Sequence, residues 1–117
     1  MTDSAIDPVA FARLVEITGD DPAFLAELVQ TYLDDGTAQI VALRDAAATG
    51  EVAALVRPAH TLKSSSASIG ATVLAELCRA LEGDARAGPV PDIAGRVATV
   101  ARAFDAASAA LRARDLS

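Results

Sequence analysis

From Ile93 to Leu111 the apolar residues Ile93, Val97, Val100, Phe104, Ala107 and Leu111 follow one another in steps of four and three. That spacing is the seam of an amphipathic helix, and an apolar stripe of this length must be covered by other helices. The rest of the chain is suited to supplying them. Alanine fills 28 of the 117 positions while aromatic residues make up 3%. Much alanine and leucine with few β-branched or aromatic residues favours helix over sheet.

Turn signals divide the chain into helical lengths. Asp7-Pro8 and Asp21-Pro22 each place an N-capping carboxylate before a proline suited to the first helical position. The first segment, with Phe11, Leu14 and Val15 at helical spacing, runs to about Thr18 and stops at Gly19. The second runs from Pro22 to about Thr49, through Leu25, Leu28, Tyr32, Ile40 and Leu43, and Gly50 ends it. The third spans about Glu51 to Ser66, with Val52, Leu55, Val56, Ala59 and Leu62 on one face. Pro58 lies inside it, so a kink is expected just before His60. The fourth begins near Gly70, carries Leu74, Leu77, Cys78 and Leu81, and ends at the Gly88–Pro91 stretch GPVP. No segment keeps a period of two. The expectation is an all-α, antiparallel up-down four-helix bundle with a short additional N-terminal helix, one domain over residues 1–117.

Charge and motif content remove several function classes. A formal charge of −6 leaves no basic stripe for phosphate backbones, so no nucleic acid partner is expected, and an anionic membrane would repel the chain. No signal peptide or bilayer-length apolar run is present, and a single cysteine forms no internal disulfide, so a cytoplasmic protein is expected. One histidine and one cysteine make no zinc site, and serines without a partnered base are poor nucleophiles, so neither metal nor hydrolytic triad is expected.

The remaining chemistry gathers in Ala59–Gly70, AHTLKSSSASIG, which holds the only histidine and the only lysine. On a helical wheel His60 stands about 110° from the centre of the apolar face, with Lys63 about 60° from it. The other residues on the histidine's stripe are Ala53, Arg57, Ser64 and Ala67, nearly all short. An imidazole standing clear of its neighbours is open to the close approach of a second macromolecule. Neutral imidazole offers one nitrogen lone pair as a nucleophile, and a nearby cation such as Lys63 offsets phosphoryl charge.

The 24 residues AHTLKSSSASIGATVLAELCRALE, Ala59–Glu82, closely resemble the signature of histidine-containing phosphotransfer (HPt) domains: His-x-Leu-Lys-Gly-Ser-Ser, then Gly-Ala, then Leu-x-x-x-Cys-x-x-Leu-Glu. The stretch TGDDPAFLAELVQTYLDD resembles the same family's second-helix region. The resemblance implies a four-helix bundle in which His60 accepts a phosphoryl group, Lys63 steadies it, and the small residue at 64 lets a partner close over it. It also implies that the residue 22 positions beyond the histidine, Glu82, holds the imidazole from the next helix, with Arg86 near the same site. Gly70 and Ala71 are expected to make the tight start of the fourth helix, and Cys78 to lie in the core.

Two departures stand out. Ser64 replaces the family's usual glycine and is expected to narrow the approach slightly. Glu82 stands where many members have glutamine, and a carboxylate there favours a protonated ring, which would slow attack at mildly acid pH. The reading implied is a monomeric phosphocarrier, not an enzyme, that takes no cofactor and relays phosphoryl between response-regulator receiver aspartates, one of them in a hybrid histidine kinase. The alternatives are a non-relaying bundle that binds and inhibits a receiver or kinase, and the dimerising domain of a histidine kinase. The last is disfavoured because Thr61, not an acid, follows the histidine and no nucleotide-binding domain is present.

Overall fold

The structure, a computed structural model, describes residues 5–114, so the expected domain over 1–117 extends at both ends outside the described residues. It contains α1 (Pro8–Ile17), α2 (Pro22–Thr49), α3 (Val56–Ile69), α4 (Thr72–Ala87) and α5 (Ile93–Arg112), with one 3-10 turn at Val52–Leu55 and no strand among the described residues.

The helix starts follow the Asp-Pro signals. Asp7 Oδ1 accepts the Val9 N–H at 3.0 Å, and Asp21 Oδ1 accepts those of Ala23 and Phe24 at 3.0 and 3.2 Å. Each carboxylate satisfies a first-turn donor that has no partner within the helix. Gly50, at φ 72°, ends α2 in the left-handed conformation that a side chain resists.

Four helices form a closed ring in which α2 packs on α3, α3 on α4, α4 on α5 and α5 back on α2. Neighbours run antiparallel. Early α2 meets late α3 at Tyr32 and Ser66, early α3 meets late α4 at His60 and Glu82, and late α4 meets early α5 at Asp84 and Arg96. Leu43, Leu55, Leu62, Leu74, Leu81, Val97, Val100 and Leu111 fill the interior, each at most 2% exposed. Helix α1 caps one end of the ring, where the Asp7 N–H donates to the Gly70 carbonyl at 2.7 Å. A Cβ at Gly70 would press on Asp7 O and Phe11 N at 3.3 Å, so glycine suits both the φ of 91° and the closeness of α1.

The third helix differs from expectation. It does not run unbroken from Glu51. Val52–Leu55 form a 3-10 turn, and α3 begins at Val56. Pro58 therefore lies in the first α-helical turn, where N–H groups have no i−4 partner within the helix and the missing donor costs little. The helix type changes at Leu55 and Val56, a turn ahead of His60, and α3 runs on to Ile69.

Candidate functional site

Helix α3 turns Leu62, Ala59 and Ser66 inward, each fully buried. By helical geometry this leaves His60, Ser64 and Ala67 on the outer face, and all three are exposed, as are Ala53 and Arg57. The side chain of His60 is 54% exposed and that of Lys63 is 30% exposed. Across from them, late α4 presents Glu82, whose side chain is only 8% exposed, and Arg86, at 59%.

A buried carboxylate requires partners, and Glu82 has three. Its Oε2 lies 3.0 Å from His60 Nδ1 and accepts from Arg86 Nε at 3.0 Å, with Arg86 Nη2 at 2.9 Å. Its Oε1 makes an ion pair with Lys63 Nζ at 2.7 Å. The Lys63 ammonium, helped by Arg86 and His60 and opposed by partial desolvation, draws the carboxyl from its ordinary 4.5 down to about 2. Glu82 is thus an anion near neutral pH. An anionic carboxylate has only acceptor positions, so the His60 Nδ1 facing it carries the ring proton. The lone pair is then on Nε2, and the ring is more than half exposed.

The sequence pointed to Glu82, Lys63 and Arg86 around His60, and the fold brings all four together. It did not show that Lys63 and Arg86 are both bound to the carboxylate. The Arg86 contact is an i,i+4 spacing legible on α4, whereas Lys63 reaches Glu82 across two helices.

The SSS run divides by face. Ser64 is exposed, Ser65 returns its hydroxyl to the Thr61 carbonyl at 3.1 Å, and Ser66 is fully buried with its hydroxyl 2.8 Å from Tyr32 Oη. Burial, partly offset by that hydrogen bond, pushes the Tyr32 phenol up to about 12. Cys78 is buried in the seam, and its thiol is likewise pushed up to about 12 by burial. A groove of about 400 Å³ lined by Leu14, Leu28, Tyr32, Ser65 and Ile69 was not foreseen, because it is made jointly by α1, α2 and α3. Among the described residues no cluster of His, Cys, Asp and Glu could hold a metal ion, and no helix is long and apolar enough to cross a membrane.

A family model described as the Hpt domain matches residues 27–113. Among solved structures, the crystal structure of histidine-containing phosphotransfer protein B (HptB) from Pseudomonas aeruginosa PAO1 is similar, with a TM-score of 0.80 and 27% identity. The alignment covers 97% of this chain and 100% of that one. No curated protein matches the chain.

Proposed function

The chain belongs to the Hpt domain family of two-component histidine phosphotransfer, and on that premise we propose that His60 relays a phosphoryl group between the aspartates of response-regulator receiver domains. Response regulators and histidine kinases are the partners of this family, whose members are phosphocarriers and not catalysts. The observation that supports the relay most directly is the pairing of His60 Nδ1 with Glu82 at 3.0 Å, which leaves the Nε2 lone pair free on a ring that is more than half exposed. Holding one ring nitrogen orients the nucleophile before the partner arrives.

In this reading Glu82 is a positioning residue. Lys63, beside the ring, shifts toward the phosphoryl oxygens as charge builds on them. Ala53, Arg57, Ser64, Ala67 and Arg86 form the docking face, where short side chains let the receiver's loops approach Nε2. The receiver supplies its own carboxylate and the divalent ion that shields the phosphoryl group, so this chain needs neither metal nor cofactor. The chain acts as a monomer in the cytoplasm and has no nucleic acid or membrane partner.

The test is transfer from a phosphorylated receiver, read as acid-labile phosphate on this chain. The parent takes label and His60→Gln takes none. A His60→Gln variant labelled like the parent overturns the proposal. A parent that binds the receiver without taking label supports the inhibitory bundle instead.

A further inference from the structure

We propose that Glu82 sets how long a phosphoryl group stays on His60, by keeping the proton on Nδ1 while the phosphoryl group occupies Nε2. The inference rests on the relay reading above and goes beyond it to the lifetime of the carried group.

The geometry of the resting site defines the chemistry of the loaded one. When His60 attacks an aspartyl phosphate, the Nε2–P bond forms as the Oδ–P bond breaks, and the aspartate leaves as a carboxylate. Nδ1 already carries a proton directed at Glu82 Oε2, 3.0 Å away. The phosphorylated ring is therefore born as a cation with its positive edge against an anion. In the onward step a receiver carboxylate oxygen bonds to phosphorus, the Nε2–P bond breaks, and its electron pair returns to Nε2. With Nδ1 protonated, the group that departs is neutral imidazole. With Nδ1 bare it is an imidazolate anion, a much poorer leaving group. The proton on Nδ1 thus decides whether the phosphoryl group is labile.

Glu82 has no means of stabilising the bare ring. Held at about 2 by Lys63, with Arg86 and His60 adding to the effect, it is an acceptor only. A deprotonated Nδ1 would direct its lone pair at a carboxylate oxygen. An amide of the same shape differs, because it can turn its NH2 toward a bare Nδ1 and accept from a protonated one equally well. The two cations act in the same direction. Lys63 and Arg86 are both engaged by Glu82 and are less free to hold phosphoryl oxygens than they would be beside a neutral side chain. The charged groups around the ring are Arg57 and Lys63 on α3 and Glu82 and Arg86 on α4. The 3-10 turn carries no ionisable side chain, and no side chain of α1, α2 or α5 is hydrogen-bonded or ion-paired with His60 among the described residues.

The experiment compares the parent with Glu82→Gln and Glu82→Asp. Each full-length chain is labelled from a phosphorylated receiver, freed of it, and followed for loss of acid-labile phosphate between about pH 6 and about pH 9. The parent loses label at a rate nearly independent of pH over this range. Glu82→Gln loses it more slowly as pH rises, by about tenfold at the alkaline end, the difference between a charge-assisted and a neutral hydrogen bond to Nδ1. Glu82→Asp, which keeps the carboxylate, keeps the flat profile. A labelled parent and Glu82→Gln with the same lifetime and pH profile overturn this inference and leave the relay standing, and so does a Glu82→Asp profile like that of Glu82→Gln. A parent that takes no label overturns the relay and this inference with it.

Discussion

Two glycines inside helices should respond to alanine with opposite signs, and the structure gives the reason. Gly36 is buried in the middle of α2, and Gly83 is exposed in α4. Alanine at either site should gain about 0.5–1 kcal/mol, because glycine loses more backbone freedom on entering a helix. At Gly83 nothing lies within 4 Å of an added Cβ, so that gain stands alone. At Gly36 the added Cβ would lie 2.6 Å from Phe104 Cζ and closer still to Cε1. The ring has little room to retreat. Phe104 is 6% exposed and packs tilted against Tyr32 with centroids 5.9 Å apart, and Tyr32 is tied to Ser66. Forcing a methyl into such a core costs about 1–3 kcal/mol, which outweighs the helical gain. The expected net effects are a loss of about 0.5–2 kcal/mol for Gly36→Ala and a gain of about 0.5–1 kcal/mol for Gly83→Ala. Urea unfolding followed by far-ultraviolet circular dichroism measures both, with an unchanged m-value showing that the folded and unfolded states keep their exposed areas. Phe104→Leu in the Gly36→Ala background should recover part of the loss. If Gly36→Ala stabilises the chain as Gly83→Ala does, Phe104 does not fill that space and the account of the α2–α5 contact is wrong.

Three further outcomes follow from the same structure. Glu82 is depressed to about 2 in the folded chain, so its contribution to stability is complete above about pH 4.5 and is lost as pH falls toward 2; with Lys63 and Arg86 partly in water that contribution is about 1–2 kcal/mol. The stability gap between parent and Glu82→Gln should narrow on acidification, and a gap that does not change with pH contradicts this. Cys78, buried and pushed up to about 12, should resist thiol reagents at about pH 8 until urea unfolds the chain; rapid labelling of the folded protein would show the seam to be open. Tyr32 is the only tyrosine, so its phenolate absorbance should appear near 12, and Tyr32→Phe should cost about 1 kcal/mol by leaving the buried Ser66 hydroxyl unpartnered, a loss that Ser66→Ala in the same background reduces.

The helices were legible because their signals are local. Asp-Pro pairs, glycine stops and the Ile93–Leu111 seam each lie within a few residues of what they specify, and α1, α2 and α5 form where those signals place them. The third helix was misjudged because Pro58 has two local readings, a kink inside a helix or an ordinary first-turn residue. The choice depends on whether Val52–Leu55 join the α-helix or wind into a 3-10 turn, and Leu55, fully buried, is held by packing that no local pattern reveals. Gly36 shows the same limit from the other side: its sequence context is an interruption of the α2 stripe, and its role beneath Phe104 exists only when α5 folds back.

Local pattern in the chain sets the helical periods, the stops between them, and the isolation of one imidazole and one ammonium on a stripe of short side chains. Its resemblance to HPt domains singled out Glu82 as the residue to reach that imidazole. That Glu82 is covered, that it binds Lys63 and Arg86 as well as His60, and that Nδ1 is the nitrogen it holds all come from the packing of α3 against α4. Periodicity fixes which face of a helix a residue occupies. Which charges share that face across a helix pair depends on the offset and rotation of α3 against α4, and those are set by the Gly70–Ala71 turn and the packed core between them.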